Sequence, residues 1–315
     1  LIMVASASIG ISEKETGAAF HYFTRQLVYV ALGLVAACVG LSVPTRIWYE
    51  NSKYLLGGAF LLLIVVLIPG IGYEVNGSRR WIRLGFMNFQ VSEATRVMLL
   101  MYVASYAVRR SDELRSDFRS FMVPVGVLAA AALLLLGEPD FGAATVLFAT
   151  GLGVLFLAGA RIVHLLVPVV AGSIGLAALA VVSPYRLRRL TGFLDPWGDP
   201  FDSGFQLVQS LIAIGRGEWL GVGLGASVQK LFYLPEAHTD FVFAVLAEEF
   251  GFLGVTVVVG LFALLVTRAL MISREAAQAG QAYQSYVAAA IGIWLGLQAF
   301  VNIGVNMGLL PTKGL

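Results

Sequence analysis

Long apolar runs separated by short polar connections dominate the pattern of this chain. Runs near the 20 residues that cross about 30 Å of hydrocarbon at helical rise predict spanning helices at 24–43, 53–69, 95–108, 121–137, 141–159, 162–183, 241–266 and 283–307. The 95–108 run is short, so its helix is expected to begin inside the preceding connection. Leu1 to Ile11 reads as the second half of a further span, and the chain stops at Pro311-Thr312-Lys313-Gly314-Leu315 without a closing one. Both ends are therefore expected to be truncated. A basic leader and a small-residue cleavage site are both missing at the start, so no cleavable signal is expected. The expected fold class is all-α, a polytopic integral membrane protein forming one transmembrane domain over 1–315.

Composition agrees with that pattern. Of 315 residues, 58% are hydrophobic and 13% charged, against roughly 25% charged in a soluble domain. The one cysteine, Cys38, lies inside a predicted span, which closes disulfide and Cys-metal readings.

The connections carry the next layer. Short ones lie at 44–52, 109–120, 159–161 and 267–282, and long ones at 70–94 and 184–240. If spans alternate, the short set shares one side. It holds Arg46, Lys53 at its edge, Arg109, Arg110, Arg115, Arg119, Arg161, Arg268 and Arg274, which marks that side as cytoplasmic. Yet the other side carries Arg79, Arg80, Arg83, Arg186, Arg188, Arg189, Arg216 and Lys230. Long loops translocate largely regardless of charge. The sharper reading is an anionic ligand there, because planar guanidinium forks suit phosphate or pyrophosphate. The 184–240 segment mixes turn residues with apolar ones such as Phe205, Leu207, Ile212 and Leu220. It is expected to be a folded periplasmic cap inserted between spans, with amphipathic helices near 204–215 and 225–232. Trp48, Tyr49, Trp197 and Trp219 near span ends read as interface anchors.

Eight motifs then follow one another over some 240 residues: Asn76-Gly77-Ser78-Arg79-Arg80-Trp81, Gln90-Val91-Ser92-Glu93, Glu138-Pro139-Asp140-Phe141-Gly142, Pro184-Tyr185-Arg186, Asp195-Pro196-Trp197, Gln206-Leu207-Val208-Gln209-Ser210, Gly221-Val222-Gly223-Leu224-Gly225, and the stretch from Lys230 to Phe243. In this order they resemble the SEDS family of FtsW and RodA. The stretch from Val228 to Phe241 and the closing Leu310-Pro311-Thr312-Lys313-Gly314-Leu315 resemble its division branch more than its elongation branch. The resemblance implies a ten-span helical bundle of the bacterial inner membrane, with the first span partial and the last missing here. It also implies a peptidoglycan glycosyltransferase that polymerises lipid II at the division septum. Implied partners are a class B penicillin-binding protein transpeptidase of FtsI type and division regulators of FtsQ, FtsL and FtsB type; no nucleic acid is expected. Two positions depart from the family pattern, Val91 for the usual proline and Arg96 for the common lysine. Neither removes the carboxylate or the positive charge.

The chemistry has its own logic. Extending a glycan from a lipid pyrophosphate needs a base for the acceptor hydroxyl and cations for the leaving group. Asp240 is the candidate base, because Phe241, Phe243 and the apolar run behind them are expected to reduce its solvation. The same position also suits a helix N-cap by Thr239 or Asp240, or a carboxylate holding Mg²⁺ or Mn²⁺ against the pyrophosphate. No other cofactor is implied. In the matching position the family places its catalytic aspartate.

Arg79 and Arg80 are the first candidates for the leaving group, with Arg189, Arg216 and Lys230 behind them. Arg79 equally suits a loop staple with Glu74. Glu93 and Arg96, three apart at a helix start, share a face and suit an ion pair. His238 reads as a loop residue in the binding region. Asp140 fits a helix cap, and at least one of Glu248 and Glu249 should face a cavity or a basic partner. A lipid II flippase is the alternative function. It needs polar groups reaching both faces, whereas these motifs concentrate on one. The polyprenyl tail calls for a lateral groove, which the 35 glycines make accessible through close helix approach.

Overall fold

The computed structural model describes residues 1–75, 78–85, 87–182, 193–201, 204–231 and 234–311. Twelve helices are numbered here along these residues: α1 (Ile2–Thr16), α2 (His21–Ser42), α3 (Thr45–Glu50), α4 (Ser52–Leu67), α5 (Val91–Arg109), α6 (Ser111–Ser116), α7 (Phe118–Gly137), α8 (Phe141–Leu157), α9 (Ile162–Val182), α10 (Phe205–Arg216), α11 (Val242–Gln278) and α12 (Ala282–Asn306). Four are long and apolar enough to cross a membrane, namely α2, α7, α11 and α12, and α4, α8 and part of α9 are shorter apolar helices. The protein is a multi-pass membrane protein.

Two compact units are distinguished, one made of residues 1–43, 180–263 and 299–314, the other of 44–179 and 264–298. In the second unit, Leu63 and Val66 of α4 join Leu99 and Val103 of α5, Phe121 and Leu128 of α7, and Leu147 and Val154 of α8 in one buried cluster. Lipid offers no hydrophobic drive between helices, so close packing has to hold them. Gly151 shows how: a Cβ there would lie 2.3 Å from Leu128.

The 70–94 connection folds into an antiparallel sheet, β1 (Gly72–Val75), β2 (Ser78–Leu84) and β3 (Met87–Gln90), in the order β1-β2-β3. The sequence reading left this segment as a loop. Its aromatic and β-branched content, Tyr73, Val75, Trp81, Ile82 and Phe89, suits strands. Leu84 pairs with Met87, and Gly85 between them takes φ 69°, the left-handed region that glycine enters without steric cost. The sheet hands directly into α5 at Val91, so that helix does begin inside the connection.

Two further expectations need correction. Residues 225–231 form turns, not a second amphipathic helix; the glycines ahead of them and the left-handed Gly223 and Gly225 break any helical run. The last-but-one helix continues to Gln278 rather than ending near 266. Arg268 and Arg274 therefore stand on a helix, within a run of good helix formers.

In the first unit, α11 is interrupted at Gly251 (φ 63°, ψ −163°). The segment 217–223 satisfies the backbone groups left open by the break. Val222 N–H donates to Glu248 O at 2.9 Å and Gly223 N–H to Glu249 O at 3.1 Å. In return, Phe252 N–H donates to Glu218 O at 2.8 Å and Leu253 N–H to Trp219 O at 3.1 Å. In a membrane every such group must find a partner inside the protein. Contact this close admits only glycine: a Cβ would sit 1.9 Å from Ala247 O at Gly217 and 2.4 Å from Gly221 N at Gly251. Gly251→Ala is expected to cost about 1–3 kcal/mol from backbone strain alone, and more from the clash. Thermal unfolding of the detergent-solubilised variant checks this, and an unchanged midpoint contradicts it.

Candidate functional site

The first unit carries Asp240 at the start of α11. Phe241 and Phe243 are buried, but they pack inward and leave Asp240 exposed. The desolvation expected of Asp240 from its neighbours is therefore corrected: the two rings spend their apolar surface in the core while Asp240 itself stays open to solvent. Its backbone carbonyl accepts from Asn306 Nδ2 at 2.9 Å and from Asn302 Nδ2 at 3.5 Å. Thr239 turns its hydroxyl onto Glu236, 2.6 Å to Oε2. His238 packs its ring against Tyr22 at 5.4 Å. No group of three or more His, Cys, Asp or Glu side chains able to hold a metal ion occurs among the described residues.

Behind this exposed aspartate lie two buried carboxylates with basic partners, as the acidic pair inside an apolar run required. Glu249 accepts from Lys230 Nζ at 2.7 Å and from Ser6 Oγ at 2.6 Å. Glu248 accepts from Ser227 Oγ at 2.5 Å and from Val228 N–H at 3.1 Å, with Arg216 at 3.6 Å. Both carboxylates are shut from solvent. Lys230, a sequence candidate for the leaving group, is only 10% exposed and committed to Glu249. Arg216 keeps 47% of its side chain exposed beside a cavity of about 340 Å³ lined by residues 216–222.

The second unit gathers the other candidates. Arg80 Nη2 donates to Pro139 O at 2.8 Å and its Nε to Glu138 O at 3.3 Å, with Asp140 at 3.8 Å. Asp140 caps α8 by accepting from Ala143 N–H at 3.0 Å. Arg80 thus ties β2 to the α7–α8 connection. Arg79 pairs with Glu74 at 3.0 Å on the open edge of the hairpin, the staple that the sequence left as an alternative. Arg96 is buried, meets Glu93 at 3.3 Å and Gln298 Oε1 at 3.1 Å, and lies 5.1 Å from the Trp294 ring. Arg189 lies outside the described residues.

Glu138 is the most unusual group in this unit. It is fully buried in the α7–α8 connection and neither carboxyl oxygen has a hydrogen-bond partner. Burial first, then the nearby Asp140, push its pKa up to about 8, against the opposing pull of Arg80. The folded state therefore holds a proton that the unfolded chain releases above about 4.5. Stability should fall as pH rises from about 4.5 through about 8, because the folded state binds the extra proton across that window. Glu138→Gln is expected to flatten that slope and to raise stability at the alkaline end. Unfolding midpoints across the window check it.

Sequence reading missed the residues that hold these clusters, namely Ser6, Ser227, Gln298 and Asn306. The last had a visible signal, since Gln298, Asn302 and Asn306 recur every four residues on one face of an apolar helix.

With this geometry in hand, the comparisons give a consistent picture. The family described as cell cycle protein, that of FtsW, RodA and SpoVE, matches residues 1–315. The chain is 56% identical over 315 residues to a probable peptidoglycan glycosyltransferase FtsW of Thioalkalivibrio sulfidiphilus, covering all of this chain and 79% of that protein. It is 54% identical over 317 residues to the protein of the same name from Coxiella burnetii, covering 85% of it. Among solved structures, it resembles a chain from work on coordination of polymerization and crosslinking by a peptidoglycan synthase complex. That likeness has a TM-score of 0.78 at 30% identity and covers 99% of this chain and 86% of that one. The rod shape determining protein RodA of Thermus thermophilus matches with a TM-score of 0.65 at 26% identity, covering 96% and 81%.

Proposed function

From the premise that the chain belongs to the FtsW, RodA and SpoVE family of cell cycle proteins, we propose that it is a peptidoglycan glycosyltransferase of the division branch. It polymerises lipid II into glycan strands with release of undecaprenyl pyrophosphate. The observation that carries the reading to a residue is Asp240, an exposed carboxylate whose backbone is clamped from a neighbouring helix. In the step we propose, the acceptor hydroxyl attacks the anomeric carbon of the donor while the bond from that carbon to the pyrophosphate oxygen breaks. Asp240 takes the hydroxyl proton. Arg216, in the same unit as Asp240 and with 47% of its side chain exposed, is the cation we assign to the negative charge on the departing pyrophosphate.

The setting we infer is the inner membrane at the septum. There the protein works with a class B penicillin-binding protein transpeptidase, which crosslinks the strands, under regulators of FtsQ, FtsL and FtsB type. The named subject of the similar solved complex, polymerization coordinated with crosslinking, supports that pairing. The test is polymerisation of purified lipid II by the protein together with its transpeptidase, with glycan length resolved on gels. Polymer from the pair and none from the transpeptidase alone supports the reading. Passage of labelled lipid II across vesicles without polymer would turn it to the flippase.

A further inference from the structure

Asn306, in the last turn of α12, is fully buried and uses both ends of its amide. Its Nδ2 donates to Asp240 O at 2.9 Å and to Asn302 O at 2.9 Å, and its Oδ1 accepts from Ala244 N–H at 3.1 Å. The partners fix which end is which, since two carbonyls can only accept and one N–H can only donate. Ala244 lies in the first turn of α11, and its N–H is shared between Phe241 O at 3.0 Å and the Asn306 oxygen, a three-centre bond of the kind common at helix termini. The amide oxygen of Asn306 therefore reinforces the first turn of α11 from another helix, and its nitrogen anchors Asp240, two residues ahead of that helix. Behind it, Ser210 Oγ donates to Asn306 O at 2.8 Å, tying α10 into the same knot. Ser210 is fully buried as well.

We propose that Asn306 is the positioning residue for Asp240. It fixes the backbone at Asp240 and at Ala244 together, so the exposed carboxylate leaves the helix start from a defined point and direction. This rests on Asp240 serving as the base. A base displaced by about 1 Å loses on the order of 100-fold in rate, so the arrangement controls turnover more than affinity.

The experiment is lipid II polymerisation by the protein with its transpeptidase, comparing wild type, Asn306→Asp, Asp240→Asn and the double variant. Asn306→Asp keeps the shape and the acceptor for Ala244 but loses the donor to Asp240. Its kcat is expected to fall about 10- to 100-fold, with KM for lipid II changed less than about threefold. In the Asp240→Asn background the same substitution should cost little further, because the two act as a unit. Wild-type kcat in Asn306→Asp, beside an inactive Asp240→Asn, overturns the proposal alone. Losses that multiply in the double variant overturn it too. Full turnover in Asp240→Asn overturns the base reading and the proposal with it. Should Asn306→Asp fail to fold, Ser210→Ala removes only the support behind Asn306. A few-fold loss in kcat at constant KM is then expected, and unchanged kcat counts against the proposal.

Discussion

Asp240→Asn is expected to lower lipid II polymerisation by about 100- to 10,000-fold, the range a positioned general base supplies, at unchanged folded yield. The folded state should survive because the clamp on this position takes the backbone carbonyl of Asp240, which the substitution leaves in place. Exposure of the carboxylate argues the same way, since an exposed side chain carries little of the packing energy. Asp240→Ala should match Asp240→Asn in activity, because the lost function is proton acceptance and not shape. Initial rates of glycan formation, together with retained lipid II binding, check the expectation. Undiminished polymer would remove Asp240 from the chemical step and direct attention to Glu138, the buried carboxyl held protonated near neutral pH.

Lys230→Ala is expected to destabilise the fold by about 3–5 kcal/mol, because it leaves the Glu249 carboxylate buried without its counter-charge. Ser6 would remain as a partner for that carboxylate but brings no charge. Replacing both partners by apolar residues of similar size, Lys230→Met with Glu249→Leu, should recover most of the loss, since a buried pair is often no better than good apolar packing. Thermal unfolding in detergent reads both effects. Activity of the double variant then separates two roles for the lysine. Retained polymerisation assigns Lys230 to structure, and loss with an intact fold returns it to the pyrophosphate.

Much of this architecture was legible because membrane helices announce themselves by length and apolarity. The predicted runs at 121–137, 141–159 and 283–307 lie within a few residues of α7, α8 and α12. Where the reading strayed, the cause was context. The 70–94 sheet is short and interrupted by Gly72, Gly77 and Gly85, so its alternation is weak. The extension of α11 to Gln278 carries Arg268, Arg274 and Glu275, charges that read as a loop but suit a helix leaving the hydrocarbon. For the candidate site, charge and motif brought out Asp240, Arg80, Arg216 and Lys230. They did not reveal that Lys230 and Glu249 answer each other, because a salt bridge between residues 19 apart leaves no periodic trace. Asn306 escaped notice for a related reason. An amide in a span is a conspicuous residue, but its partners at 240 and 244 are fixed only by how two helices meet.

The paired acids of α11 also bear on how the chain is made. Residues 252–267 contain no charge and are nearly long enough to partition into the bilayer as they leave the ribosome. Glu248 and Glu249, just ahead of them, resist partitioning, at roughly 2.5–3.5 kcal/mol for a charged residue at mid-membrane. Their partners, Arg216, Ser227 and Lys230, have been synthesised by then, and they flank the 217–223 segment that caps the break at Gly251. Integration of this helix is therefore expected to be coupled to docking of the 216–230 segment. A nascent chain stalled between them would present two naked carboxylates to the membrane quality-control machinery.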